Sequence, residues 1–163
     1  MSLLPAAIGI VLNTDQNQVL LIKRRDVPVW VLPGGGIEAN EQPEEALRRE
    51  IQEETGYQIK VLRQSAEYYP VNRLATLTSV FICQIQSGQI HLSSETAEVA
   101  FHSLEKLPSS FFPPHLLWLR ESLSQSAFIQ RPLTEVSYGA LCKYFLYHPW
   151  QVLRFAWTRF INT

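Results

Sequence analysis

An excess of charge of either sign is the first thing this chain lacks. Its 163 residues carry 14 Lys and Arg against 15 Asp and Glu, a formal net charge of -1. A balance this even makes no long-range field to gather a nucleic-acid polymer or an anionic membrane, so no polymer partner is expected. Cysteine is scarce: Cys83 and Cys142 stand far apart in sequence, which fits a reducing, cytoplasmic setting and offers no disulfide framework. His91, His102, His115 and His148 form no pair at zinc spacing. No apolar run reaches the roughly 20 residues that span a bilayer. The opening MSLLPAAIGIVL is apolar, but the first basic residue is Lys23, so it lacks the charged start of a secretory signal and reads as a buried strand. Repeats and low-complexity stretches are missing too. With 46% hydrophobic and 18% charged residues, what remains is one globular domain with its own core and room for an appendage.

Two short apolar runs, 6–12 (AAIGIVL) and 19–22 (VLLI), flank the turn-like NTDQNQ and predict a hairpin. Trp30 to Leu32 is a further extended piece, stopped by Pro33 and three glycines. Pro43 suits a first helical position and Gly56 a C-cap, with no breaker between them, so the spacing predicts a helix. Residues 59–68 and 76–86 read as strands, and SSETAEVAFHSL as a loop and another strand. From Pro113 onward the pattern is helical: PHLLWLRESL, SYGALCKYFLY and WQVLRFAWTRF. Strands, one central helix, more strands and late helices predict an α+β or α/β sandwich.

The glycines and the helix set up a conflict. Gly34, Gly35 and Gly36 suggest a loop whose backbone comes close to phosphate, yet the segment behind them is rich in glutamate. On a helical wheel Leu47 and Ile51 share one edge, and Glu50, Glu53 and Glu54 fill the adjoining arc. Two such charges about 4 Å apart repel by about 4 kcal/mol at an effective dielectric of 20, so something must offset them. Arg49, four residues before Glu53 and four after Glu45, can screen one of them. A fully solvated acidic face is the plain alternative. Because the acidic arc adjoins the apolar edge, some carboxylates belong at a partly buried rim, where a hard divalent cation suits them and reverses the sign of the site for a pyrophosphate. A P-loop is excluded, since no Gly-Lys-Ser/Thr follows the glycines.

The same residues resemble the Nudix box, G-x5-E-x7-R-E-U-x-E-E-x-G-U with U a bulky apolar residue. Gly35, Glu41, Arg49, Glu50, Ile51, Glu53, Glu54, Gly56 and Tyr57 fill its positions in order. Asn40 stands where glycine is common, and Asn tolerates a left-handed turn. The resemblance implies an α/β/α sandwich with a mixed sheet over residues 1–125, and a hydrolase that cleaves the pyrophosphate linkage of a nucleoside diphosphate derivative with Mg²⁺ or Mn²⁺. It implies that Glu50, Glu53 and Glu54 hold metal, with the Gly35 carbonyl joining them, that Arg49 orients this set and that Glu41 supports it. The general base is either Glu50 or a glutamate on a later loop, with Glu95 the first candidate and Glu98 the second. The rival reading keeps the fold as a nucleotide-binding or regulatory module without turnover.

Lys23, Arg24 and Arg25 close a strand shortly before the box, where a cationic side chain could hold a terminal phosphate or simply be solvated. Lys23 and Arg25, together with Gly34, Gly35 and Gly36, are the expected substrate contacts. Tyr68, Tyr69 and Trp30 could stack a base or belong to the core. Residues 126–163 read as a helical, aromatic and basic extension. From Tyr138 it holds eight of the chain's 18 aromatic residues, with Lys143, Arg154 and Arg159 and no acid. Such a surface must be covered by the sandwich, by a second subunit in a homodimer, or by a membrane interface.

Overall fold

A computed structural model describes residues 4–136, as eight strands and two helices. In chain order these are β1 (Ala6–Leu12), β2 (Gln18–Arg24), β3 (Trp30–Val31), β4 (Gly34–Gly36), α1 (Pro43–Thr55), β5 (Tyr57–Pro70), β6 (Thr78–Gly88), β7 (Thr96–Ser103), α2 (Pro113–Ser124) and β8 (Ile129–Leu133). The strands make one mixed sheet in the order β3-β2-β1-β6-β5-β8, with β4 added to β1 and β7 to β2. β1 runs parallel to β6 and β5 parallel to β8, while the other pairs are antiparallel. The expected α+β sandwich is therefore present.

The apolar runs are continuous because both faces of the sheet are covered. Alternation along β1 sends Ala7 and Val11 to the core under α1, and Ile8, Ile10 and Leu12 to the core under α2. Gly9 lies on the α1 row, and a Cβ there would meet Ile51 Cδ1 at 2.6 Å, so its bareness lets the helix sit close. Leu47 and Ile51 are fully buried. At about 1.5–3 kcal/mol for each buried aliphatic side chain, that edge holds α1 down against the repulsion along its acidic arc.

The helix ends follow local chemistry. Pro43 occupies the first turn, the Gln42 N–H donates to Glu45 (3.0 Å), and Gly56 closes the helix at φ 80 with its N–H on the Gln52 carbonyl (2.9 Å). Glu45 is thus turned toward the cap and not toward Arg49. Asn40 takes the left-handed conformation (φ 68) expected where glycine is common.

Two expectations need correction. Gly34 to Gly36 are not a loop: they form β4, with Gly36, Gly35 and Gly34 opposite Ala6, Ala7 and Ile8. Residues 129–133, assigned from sequence to a helical extension, form β8 and lie parallel to Ala66–Pro70, so the sheet continues past residue 125. Pro132 is tolerated because this strand is the sheet edge. The aromatic segments beyond Val136 lie outside the described residues, and the homodimer or membrane contact expected of them rests on sequence alone. No helix among the described residues is long and apolar enough to cross a membrane.

Candidate active site

The glycine strand and the glutamate helix meet face to face. Gly34 donates its N–H to Glu54 Oε2 (2.8 Å), and a Cβ on Gly35 would fall 2.4 to 2.7 Å from the Glu50 carboxylate. Gly35 is therefore bare because the Glu50 carboxylate occupies the space where its side chain would stand. A Cβ on Gly34, at φ 134, would also strike the Ala7 carbonyl at 2.2 Å. Gly36 is different, since a Cβ there would touch only Leu4, at 3.6 Å. The strand is paired with β1, and the Gly34 N–H is engaged by Glu54.

Arg49 ties the set together. Its Nε and Nη2 fork onto Glu41 (2.9 Å each), Nη2 also reaches the Gly36 carbonyl (3.1 Å), and Nη1 donates to Glu50 Oε1 (2.8 Å). The fork holds the Glu41 carboxyl below the usual carboxylate range, aided by the Glu38 N–H. Glu53 is the outlier. Its side chain is 61% exposed and its carboxylate lies 3.8 Å from Arg49 Nη1, a geometry worth little in water.

Glu54 is partly buried, and burial pushes its carboxyl up to about 8 against the pull of the Gly34 N–H. The negative charges of Glu50 and Glu95 push the same way, while Arg24 opposes them. Glu54 thus feels the charges of Glu50 and Glu95, with Arg24 as the nearby cation. Among the described residues no three His, Cys, Asp or Glu side chains are already gathered as a metal cage. Glu98, the second candidate, stands on β7 and not on a loop, and its carboxylate pairs with Lys23 across the strand pair (3.4 Å).

The structure also revises the basic triplet. Lys23 lies over Trp30, 5.6 Å from the ring centroid, and pairs with Glu98. Arg24, which sequence did not single out from its neighbours, is the cation whose charge reaches Glu54 and Glu95. Asp26 fixes it by a two-pronged contact, Nε to Oδ1 at 2.8 Å and Nη2 to Oδ2 at 2.6 Å. Period-two alternation carried the signal, because Ile22, two residues earlier, packs in the α1 core. Of the aromatic candidates, Tyr68 and Trp30 are core residues, and Tyr69 is exposed.

His115 was given no role by sequence. Its Nδ1 accepts the Leu32 N–H (3.0 Å), which braces the chain two residues before β4, and its ring stacks on Trp118 at 4.7 Å. Burial, with a smaller push from Arg24, lowers its pKa to about 3 from 6.5. A protonated Nδ1 could not accept that N–H. The unfolded chain therefore binds the extra proton between those pH values and the folded chain does not. This contribution to stability is complete above pH 6.5 and is lost as pH falls toward 3, at about 1.4 kcal/mol per pH unit. Urea unfolding at pH 7 and pH 4.5 is expected to show wild type losing about 2.5 kcal/mol more than His115→Gln; equal losses would refute the assignment.

The family model for the NUDIX domain matches residues 3–123. The chain belongs to the Nudix hydrolase family. Among curated relatives of this Nudix protein, "Putative 8-oxo-dGTP diphosphatase" from Bacillus subtilis (strain 168) is 41% identical over 108 residues, covering 66% of this chain and 71% of its own. An "ADP-ribose pyrophosphatase" from Methanocaldococcus jannaschii is 36% identical over 102 residues, 59% of this chain and 60% of its own. Among solved structures, a UDP-X diphosphatase superposes with a TM-score of 0.64 at 26% identity, over 79% of this chain and 68% of the other. A NUDIX hydrolase from Nitrosomonas europaea superposes with a TM-score of 0.67 over 80% of this chain and 79% of the other; at 23% identity it speaks for the fold alone.

Proposed function

We propose that this Nudix enzyme is a divalent-metal-dependent pyrophosphohydrolase that cleaves the phosphorus anhydride of a nucleoside diphosphate derivative at the junction of α1 and β4. The observation that carries the reading is the close seating of Glu50 and Glu54 against Gly35 and Gly34, with Arg49 holding Glu50 in place. A set of crowded acids beside backbone, with only oxygen donors, is what Mg²⁺ or Mn²⁺ takes. Partial burial of Glu54 next to two like charges fits the residues to such an ion, which would relieve both costs.

In this reading Glu50, Glu53 and Glu54 hold the metal together with the Gly35 carbonyl. When bound, the ion supplies charge neutralisation for the diphosphate and Lewis-acid polarisation of its oxygens. Arg49 and Glu41 keep Glu50 aimed, and Arg24 meets phosphate charge beside Glu54. A water oxygen bonds to phosphorus as the bridging P–O bond breaks, and the departing phosphate oxygen keeps the electron pair. The water's proton passes to a carboxylate and then to solvent. Glu95 is assigned this base role, because one Glu50 oxygen is engaged by Arg49 whereas the Glu95 carboxylate makes no hydrogen bond among the described residues.

The test is release of nucleotide and phosphate from a panel of nucleoside diphosphate derivatives with Mg²⁺, comparing wild type, Glu53→Gln and Glu54→Gln. Turnover is expected to stop with EDTA and to fall at least about tenfold in each variant. A folded protein that binds nucleotide without turning any over would establish the binding-module alternative, and equal turnover in all three proteins would discard the site.

A further inference from the structure

The chain ahead of β4 is held by a short ladder that ends in a side chain. The Trp30 N–H donates to the Ser110 carbonyl (3.1 Å) and the Phe112 N–H to the Trp30 carbonyl (2.9 Å), the two bonds around a parallel bridge between Trp30 and Phe111. In a parallel ladder the next donor is the Leu32 N–H and its acceptor the Phe112 carbonyl. That carbonyl is already engaged: Phe112 is the N-cap of α2 and accepts the Leu116 N–H (3.1 Å) as the helix begins. Leu32 is 1% exposed, so its N–H has no water to turn to, and a buried donor left unpaired is costly. His115 Nδ1 takes the place of the missing carbonyl, at 3.0 Å. We infer that His115 is a positioning residue for Glu54: by fixing Leu32 it sets where the Gly34 N–H points, and through that N–H the aim of the carboxylate. The inference rests on the α1–β4 junction being the place that holds the metal.

The path from His115 to the carboxylate is short and stiff. Only Pro33 separates Leu32 from Gly34; its ring fixes φ, and its carbonyl accepts the Gly9 N–H (2.9 Å). Gly34 lies so close to β1 that a Cβ would strike the Ala7 carbonyl, so β4 cannot absorb a displaced Leu32 by moving toward its neighbour. The Gly34 N–H in turn holds Glu54 Oε2 (2.8 Å), and Glu54 makes no other hydrogen bond among the described residues. The imidazole is itself locked. It stacks on Trp118 with 4.7 Å between centroids and meets Phe112 edge to face at 5.2 Å. A ring held on two sides presents Nδ1 in one direction, as support behind a metal ligand must.

The test separates the acceptor from the ring. His115→Asn keeps an acceptor oxygen at a similar reach from the backbone and gives up the stacking, whereas His115→Phe keeps the stacking and gives up the acceptor. Mn²⁺ binding to the full-length protein, followed by electron paramagnetic resonance of the free ion, gives Kd for wild type and both variants, and urea unfolding shows that each is folded under those conditions. Kd is expected to rise about tenfold in His115→Phe, the low end of what lost support behind a metal ligand costs, and to stay within about threefold of wild type in His115→Asn. Turnover of a nucleoside diphosphate derivative at limiting Mg²⁺ should fall in His115→Phe and return in large part at saturating Mg²⁺, with KM for the nucleotide unchanged. Unaltered binding in His115→Phe, or binding weakened as much in His115→Asn, would overturn the inference while leaving the hydrolase reading intact. If His115→Phe does not fold, His115→Leu takes its place with the same expectation. A wild type that binds no Mn²⁺ would sink the metal-site reading first and the inference with it.

Discussion

Gly35→Ala is expected to lower turnover by about a hundredfold or more, and Gly36→Ala to cost at least tenfold less than that. The neighbouring positions differ in what a single methyl would meet. On Gly35 it lands within 2.7 Å of three atoms of the Glu50 carboxylate; on Gly36 it finds only Leu4 at 3.6 Å. Glu50 would have to swing away, breaking its 2.8 Å contact with Arg49 and shifting by an ångström or more, a misplacement of the size that costs about a hundredfold in rate. The obstacle is the end of a side chain and not backbone, so the fold should survive and thermal unfolding should move by only a few degrees. Steady-state kinetics and a melting curve on both variants decide the matter. A Gly35→Ala protein as active as wild type would remove Glu50 from the site.

Arg49→Lys is the second large effect, expected at about tenfold to a hundredfold in kcat/KM, the range seen when the support behind metal-site ligands is lost. The positive charge is kept, so simple charge neutralisation predicts almost no change. The guanidinium, however, spans both Glu41 oxygens, the Gly36 carbonyl and Glu50 at once. One ammonium on a flexible stem cannot hold four acceptors in those directions. Because Glu41 acts on the site through this fork, Glu41→Gln added to Arg49→Lys should cost much less than the sum of the two single losses. Strict additivity would mean that Glu41 acts by another route. Full activity of Arg49→Lys would mean that charge, not geometry, is what Arg49 supplies.

Much of this machinery was legible before folding was considered. Pro43 and Gly56 marked the ends of α1, Leu47 and Ile51 its buried edge, Asn40 its left-handed turn, and Glu50, Glu53 and Glu54 its acidic arc. The box spacing placed Arg49 and Glu41 with them. Legibility failed where the partner of a residue is distant in sequence. The three glycines suggest a phosphate loop because nothing local reveals that Ala6 to Ile8 will pair with them, and that the Glu50 carboxylate will fill the side-chain space of Gly35. Ile129 to Leu133 was assigned to a helical extension because its strand character comes from lying beside Ala66 to Pro70. His115 carried no signal at all, since its role depends on an N–H 83 positions earlier.

The sequence by itself determined the helix, its limits, its acidic arc and the family to which that pattern belongs. These depend on caps, periodicity and spacing, interactions that reach four residues or fewer along the chain or are read directly as a motif. The tertiary structure decided which acids act on Glu54, which of three adjacent cations meets it, and why Gly34 and Gly35 must be glycine. Those outcomes depend on β1, β2 and the Glu95 loop converging on one helix, and a local pattern carries no information about which distant segment will occupy the space beside it.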